Sequence, residues 1–234
     1  KLSKIKNYVK LIRTTGIMES SIYEIIKPHL DIKDIDLAFL PRYTGVDLRI
    51  SSNKNDSIIN FLDKILPLID KYYYADGEEE LEDVLGEIIV SNKKTISTAE
   101  SCTGGLISDR LTNTPNSSSY FKGGIVAYSN LLKINLLNVN KETLNKYGAV
   151  SEEVALEMAE GVRKQLDVDI GLSTTGIAGP SGGSEKKPIG LVYIGLSSSN
   201  YNKVYKFNFT KDRKINKLMT SQAALNILRN YLKH

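Results

Sequence analysis

Three segments of this 234-residue chain hold residue types that can do chemistry, and each sits where a strand pattern gives way to a helix or loop. The first is Ala99-Glu100-Ser101-Cys102-Thr103-Gly104-Gly105. Backbone N–H groups at a helix start lack internal partners and carry partial positive charge, so a serine hydroxyl held there faces ready donors for a developing oxyanion. Gly104 and Gly105 allow a substrate to approach the backbone closely. The same residues also fit a plain N-cap serine followed by a tight turn. The second segment is Gly123 to Lys133, a strand running into a helix through Tyr128-Ser129-Asn130. Ser129 is placed to cap that helix, with Lys133 one turn further on. A helical lysine is ordinarily solvated. A serine nucleophile, however, needs a base, and the two histidines, His29 and His234, lie in the other section and at the terminus. Lysine is then the remaining candidate, provided burial or nearby positive charge depresses its pKa.

The third segment is Thr174-Thr175-Gly176-Ile177-Ala178-Gly179-Pro180-Ser181-Gly182-Gly183-Ser184. Successive N–H groups in such a loop can form an anion nest. Its spacing matches neither a P-loop nor GxGxxG, and a structural loop fits it equally. Arg213 and Lys217 follow at i, i+4 on one helix face, where they can clamp a phosphate or simply face solvent.

The elements that must position these residues follow from periodicity. Leu81, Val84, Leu85, Ile88 and Ile89 mark one face of a helix. Strands are expected at Thr95–Thr98, Gly124–Tyr128, Asp169–Thr174, Ile189–Leu196 and Lys203–Phe209, with helices at Thr103–Leu111, Glu152–Gln165 and Ile215–Leu232. That alternation predicts an α/β fold, a mixed sheet in a three-layer α/β/α arrangement, with an antiparallel pair across the short turn Ser199–Asn202. Ahead of it, a small α+β unit reads as a helix over Ser20–Leu30, strands over Ile35–Leu40 and Val46–Ile50 joined at Thr44-Gly45, and a helix carrying Ile58, Leu62, Ile65, Leu66 and Ile69. The tyrosine run Tyr72 to Tyr74, with Asp76, Gly77 and three glutamates after it, ends this unit. The expected domains are 1–76 and 77–234.

Composition narrows the function classes. The chain is 41% hydrophobic and 25% charged, and no stretch approaches the roughly 20 apolar residues of a membrane span. A cytoplasmic protein is expected, with no membrane partner. The single cysteine, Cys102, and two histidines offer no zinc cluster. No metal site is expected, although magnesium held by carboxylates alone stays open. The net charge of +4 is uneven: residues 1–80 carry −1 and residues 81–234 carry +5. That suits a small anionic ligand better than a nucleic acid, which usually meets a denser basic stripe. Because the sequence begins at Lys1, a fragment of a longer protein is expected.

Together, AESCTGG, YSNLLK, YGAVSEEVALEMAEG and TTGIAGPSGGSEKKPIG, in that order from about Leu81 to the C-terminus, resemble the C-terminal domain of the CinA family of competence- and damage-inducible proteins. The resemblance implies an amidase that converts nicotinamide mononucleotide to nicotinate mononucleotide and ammonia in pyridine-nucleotide recycling, without a cofactor. By it, Ser101 is the nucleophile and Lys133 its base. Tyr128 and Glu100 would orient the dyad or the substrate. N–H groups of Cys102, Thr103 and Gly104, beside Gly105, would hold the oxyanion, while Thr175, Gly176 and Gly179 with Arg213 would bind the ribose phosphate. Lys217 stands where many relatives have arginine, which weakens bidentate phosphate binding there. A homo-oligomer is expected.

The first section, with Arg13 to Ser20 and Gly45 to Arg49, looks like the KH-like domain that precedes the amidase in full-length members. It lacks a GXXG clamp, so nucleic acid is not an expected partner. The pyrophosphatase-like domain that opens those members is not in this sequence. Rival readings are a non-catalytic nucleotide-binding or scaffolding module in competence or damage responses, nucleic-acid binding by the first section, and amide hydrolysis with Cys102 or Thr103 as nucleophile.

Overall fold

The computed structural model describes residues 7–31 and 34–233, so Lys1 and His234 lie outside the described residues. Its contacts divide into two compact units, residues 1–84 and 85–234. The division falls within a helix, α3 (Leu81–Ser91), a few residues past the composition break at 76.

In the first unit an antiparallel sheet of order β2-β3-β1-β4 is built from β1 (Tyr8–Thr14), β2 (Asp36–Arg42), β3 (Gly45–Ser52) and β4 (Tyr73–Asp76). Two helices, α1 (Glu19–Ile26) and α2 (Asn55–Ile69), share a core with one face of it, in which Ile12, Leu48 and Ile50 meet Ile22, Ile26, Ile58 and Phe61. The sequence predicts helix, strand, strand, helix here and misses β1 and β4. β1 lies inside the sheet, yet its strand Tyr-Val-Lys-Leu-Ile-Arg-Thr leaves Val9 and Lys10 exposed and buries Arg13 and Thr14, so the period-2 apolar signal is lost. β4 is the tyrosine run read as a boundary.

Arg13 explains part of that pattern. Its guanidinium donates to Glu80 at 2.8 Å, and its Nε stands 3.3 Å from Asp47 as an ion pair without hydrogen-bond alignment. Asp47 also accepts from Arg42 at 3.1 Å. Buried charges of this kind persist only when paired.

The second unit is a five-stranded mixed sheet of order β6-β5-β7-β8-β9. β5 (Ile96–Glu100) runs parallel to β6 (Phe121–Val126) and β7 (Ile170–Gly176), while β8 (Leu191–Ser197) and β9 (Asn202–Asn208) complete it antiparallel. The helices are α4 (Leu106–Asn113), α5 (Asn130–Leu137), α6 (Lys141–Tyr147), α7 (Glu152–Gln165) and α8 (Arg213–Lys233). α6 is the one that the periodicity does not reveal. Alternation along β7 separates the two helix layers. Gly171 and Ser173 face α7, where Ser173 donates to the Ala155 carbonyl, while Thr174 points to the opposite side and meets Thr103. Gly171 and Gly195 have no room for a Cβ beneath α7, which is how that helix lies so close to the sheet. α8 packs on β7 and β8 and against α4.

The topology fixes where chemistry can occur. From β5 the chain steps out to β6 and then crosses back to β7 on the other side, so the direction of winding reverses at the carboxyl ends of three parallel strands. Ligands of open α/β sheets bind at such reversals. Ser101 follows β5, Lys133 follows β6, and the glycine-rich loop follows β7.

Candidate active site

Ser101 leaves β5 with its N–H bonded to the Thr174 carbonyl at 3.0 Å, which ties the nucleophile's backbone to β7. The chain then makes a turn through Gly104 (φ +61°) and Gly105 (φ +94°), both in the left-handed region where side chains are strained, before α4 begins. Glu100 holds this turn from below. Its carboxylate is fully buried and accepts from the N–H groups of Gly105 at 2.9 Å, Ile107 at 3.1 Å and Ser108 at 2.8 Å, and from the Ser108 hydroxyl at 2.7 Å. Four bonds fill a carboxylate's capacity. Glu100 therefore faces the start of α4, not the dyad or a substrate as expected from the sequence. It also removes the N–H groups of Gly105, Ile107 and Ser108 from any role at an oxyanion. The N–H groups of Cys102, Thr103 and Gly104 remain for that role.

On the neighbouring strand, Ser129 caps α5 by accepting from Leu132 N–H at 3.3 Å, and Lys133 then falls on the inner face. A helical side chain leans toward the N-terminus. The Lys133 amine accordingly reaches back to donate to the Ala127 carbonyl at 2.7 Å and to Ser101 Oγ at 3.1 Å. The residue is 1% exposed. Burial lowers the lysine's pKa from its ordinary value, and the one opposing influence is the Cys102 thiol. That thiol is itself pushed up to about 12 by burial, so its compensating charge is slight at neutral pH. A lysine in these surroundings is held toward the neutral amine.

The two alternative nucleophiles are placed differently. Cys102 is buried with its thiol far from ionisation, and Thr103 is fully buried with its hydroxyl 2.8 Å from that of Thr174. Thr103 belongs to packing beneath the turn, while Cys102 lines the cleft with its thiol held in the protonated form by burial.

A cleft of about 210 Å³ opens above Ser101. Lys133, Thr175 and Gly176 line it on the inside, and Tyr128 and Arg213 stand at its rim. Arg213 donates to the Gly179 carbonyl at 2.9 Å and to the Tyr128 hydroxyl at 2.8 Å, so helix α8 is linked to both loops. The glycine-rich loop contributes less than a nest. Thr175 gives its hydroxyl to the Ala149 carbonyl at 2.7 Å, Ile177 N–H bonds the Leu191 carbonyl, and Gly179 presents a carbonyl to Arg213. Lys217 is not part of the lining. Its amine lies beside the turn, 3.5 Å from where a Gly104 side chain would begin. The cleft thus holds two basic side chains and no carboxylate.

Sequence reasoning misses Asn130, Ala149, Val150 and Ala178, which also line the cleft. The signal for Asn130 is its i, i+3 spacing from Lys133. Ala149 and Val150 follow α6, the helix that the periodicity hides. Among the described residues no helix is long and apolar enough to cross a membrane, and no group of three His, Cys, Asp or Glu side chains is arranged to hold a metal.

Comparison with known proteins places this geometry in context. Residues 78–232 match the family model of the CinA C-terminal domain. A CinA-like protein of Sulfurihydrogenibium is 44% identical over 231 residues, covering 99% of this chain and 56% of its own length. A relative from Halothermothrix orenii, named as competence-damage inducible, is 46% identical over 96% of this chain and 56% of its own length. The chain thus spans little more than half the length of these curated relatives. Among solved structures, the competence/damage inducible protein CihA of Agrobacterium tumefaciens superposes with a TM-score of 0.63 at 36% identity, over 67% of this chain and 98% of that one. A CinA superfamily protein of Klebsiella pneumoniae gives 0.64 at 29% identity, over 66% and 96%.

Proposed function

The chain belongs to the CinA family, and from that premise we propose that its second unit is a nicotinamide-nucleotide amidase working through a Ser101–Lys133 dyad. The observation that carries this reading is the 3.1 Å contact between a buried, pKa-lowered amine and a serine hydroxyl at the carboxyl ends of parallel strands. Neutral Lys133 takes the proton of Ser101 as Oγ attacks the carboxamide carbon of nicotinamide mononucleotide. The negative charge that develops on the carbonyl oxygen is met by N–H groups of the Cys102–Gly104 turn. The lysinium then protonates the departing nitrogen, which leaves as ammonia instead of amide ion. Water, with Lys133 again as base, cleaves the acyl-enzyme to nicotinate mononucleotide. The proton balance closes within the dyad and water, and no cofactor enters.

The positive rim fits the rest of the substrate. A cleft of about 210 Å³ is smaller than the roughly 300–1,000 Å³ of pockets that enclose a drug-sized ligand. It accommodates the pyridine end, and the ribose phosphate emerges toward Arg213. Tyr128, whose hydroxyl Arg213 already holds, stacks or hydrogen-bonds at the same rim. The test is ammonia release from nicotinamide mononucleotide by the unsubstituted chain and by Ser101→Ala and Lys133→Ala. Loss of at least about a thousandfold is expected in each variant, as for members of other catalytic dyads and triads. Full activity in either one overturns the dyad. Binding without any turnover in the unsubstituted chain favours a nucleotide-binding module instead.

A further inference from the structure

Asn130 is the one carboxamide side chain in the cleft lining. It is exposed, and its side chain holds no hydrogen bond among the described residues. The fold does not need it where it stands, because Ser129 already caps α5. Position gives it a direction. Asn130 and Lys133 are three apart and share a face of α5. The Lys133 amine reaches back past that level to Ala127 and Ser101, so amide and amine look into the same stretch of the cleft. An asparagine offers two donor hydrogens on nitrogen and an acceptor on oxygen. A primary carboxamide offers the same set in reverse.

Resting on the amidase reading above, we infer that Asn130 selects the primary carboxamide over the carboxylate made from it, by pairing amide to amide. Nδ2 donates to the substrate carbonyl oxygen, and Oδ1 accepts from the substrate amine. After hydrolysis the product has no hydrogen to give, so Oδ1 loses its partner and at most one of the two bonds survives. A site built around a hydrogen bond discriminates against a ligand that lacks it, because its own polar group is left unpaired. Whenever it carries a proton, Lys133 works in the other direction, since a lysinium attracts a carboxylate. Asn130 therefore corrects a bias that the dyad creates, and it favours release of the acid.

Calorimetric Kd values for nicotinamide mononucleotide and nicotinate mononucleotide, measured on the Ser101→Ala chain with and without a change at Asn130, decide the matter without turnover. Asn130→Leu removes both halves of the pairing and is expected to lower the preference for the amide about tenfold, the worth of roughly one hydrogen bond. Asn130→Asp keeps the acceptor and repels the acid, so the preference should rise. A merely structural role would move both affinities together. An unchanged ratio, within about twofold in both variants, overturns the inference. Binding of neither nucleotide by the Ser101→Ala chain overturns it together with the substrate assignment. If the unsubstituted chain releases no ammonia while the preference for the amide still depends on Asn130, the amidase reading falls and the selection stands.

Discussion

Both units of this protein bury basic side chains, and Arg13 of the first and Lys133 of the second are treated in opposite ways. In the first, Arg13 is 4% exposed and is met by the carboxylates of Asp47 and Glu80 and by the ring of Tyr74, 5.7 Å away. Burial alone would lower its pKa, but the bond to Glu80 and the surrounding negative charge outweigh it and raise the value above that of a free arginine. Asp47 is shifted in the opposite sense, toward its neutral form. Burial raises its pKa more than Arg42 and Arg13 lower it. In the second unit Lys133 is 1% exposed and meets a hydroxyl, a carbonyl and a thiol that stays protonated. Burial wins there and lowers the pKa. The residue types reinforce the contrast, since arginine stays charged wherever it is put and lysine gives up its proton when desolvated. A buried cation with counter-ions is architecture. A buried amine without them is a base in waiting.

The largest effect should come from erasing that distinction at Lys133. Lys133→Arg keeps a long basic side chain but removes the neutral form, and it leaves a guanidinium without a carboxylate in the described surroundings. Ammonia release should fall by at least about a thousandfold. Thermal unfolding should also come earlier, because a buried unpaired charge is costly. Appreciable activity in this variant would mean that the amine is not the base.

Next in size is the removal of the paired cation. Arg13→Ala leaves the buried Asp47 with Arg42 as its remaining basic partner and should destabilise the first unit by about 3 kcal/mol, as when one partner of a buried ion pair is removed. Chemical denaturation followed by tyrosine fluorescence measures this, and a change below about 1 kcal/mol would place Arg13 with ordinary surface pairs.

How far these two sites are legible in the sequence differs for the same physical reason. Ser101 and Lys133 can be singled out because a strand-to-helix junction is a local pattern and the scarcity of histidine leaves lysine as a candidate base, while their roles come from the resemblance to the family. The helix over Glu152–Gln165 is legible to the residue, since Ser151 caps it and its apolar period is clean. Arg13, Asp47 and Glu80 are not legible, because 34 residues separate Arg13 from Asp47 and 67 separate it from Glu80, and only the fold brings them together. β1 fails for the related reason that those partners displace the apolar alternation. Glu100 is read as a site residue because it adjoins Ser101 in the sequence, and capping rules do not reveal its bonds to α4, since they look at the residue that begins the helix. Here that residue is Gly105, and the carboxylate arrives from five positions upstream.

Glu100 provides the intermediate case, a buried charge answered by dipoles instead of by an ion. Glu100→Gln is nearly isosteric. It removes the negative charge at the start of α4 and turns one of two acceptor oxygens into a donor that faces N–H groups. Stability should fall by about 1–2 kcal/mol, since a hydrogen bond to a charged group contributes about 1.5–3 kcal/mol and some of the set survives. The turn carrying Ser101 should loosen with it, so kcat for ammonia release should drop about tenfold with KM little changed. An equal loss in KM would show that the carboxylate touches substrate, contrary to the four contacts that it makes.

The smallest effect is the most direct measure of the contrast, because it is a matter of sign. A lysine whose folded pKa lies below its unfolded value near 10.5 holds fewer protons in the native state than in the unfolded chain, across the window between the two. In that window stability rises with pH, and below the folded value the penalty is constant. Lys133→Met removes the titration while filling similar space. Stability of the unsubstituted chain relative to Lys133→Met should therefore climb as pH increases through the alkaline range toward 10.5, with a slope of at most about 1.4 kcal/mol per pH unit for one proton. The rate of ammonia release should climb over the lower part of the same range, since it follows the neutral amine. Arg13→Met, set against the same reference, should give no comparable climb there, because the raised guanidinium keeps its proton throughout that range. Parallel slopes for the two substitutions would mean that Lys133 is held charged by its surroundings, and the distinction between the two buried cations would be lost.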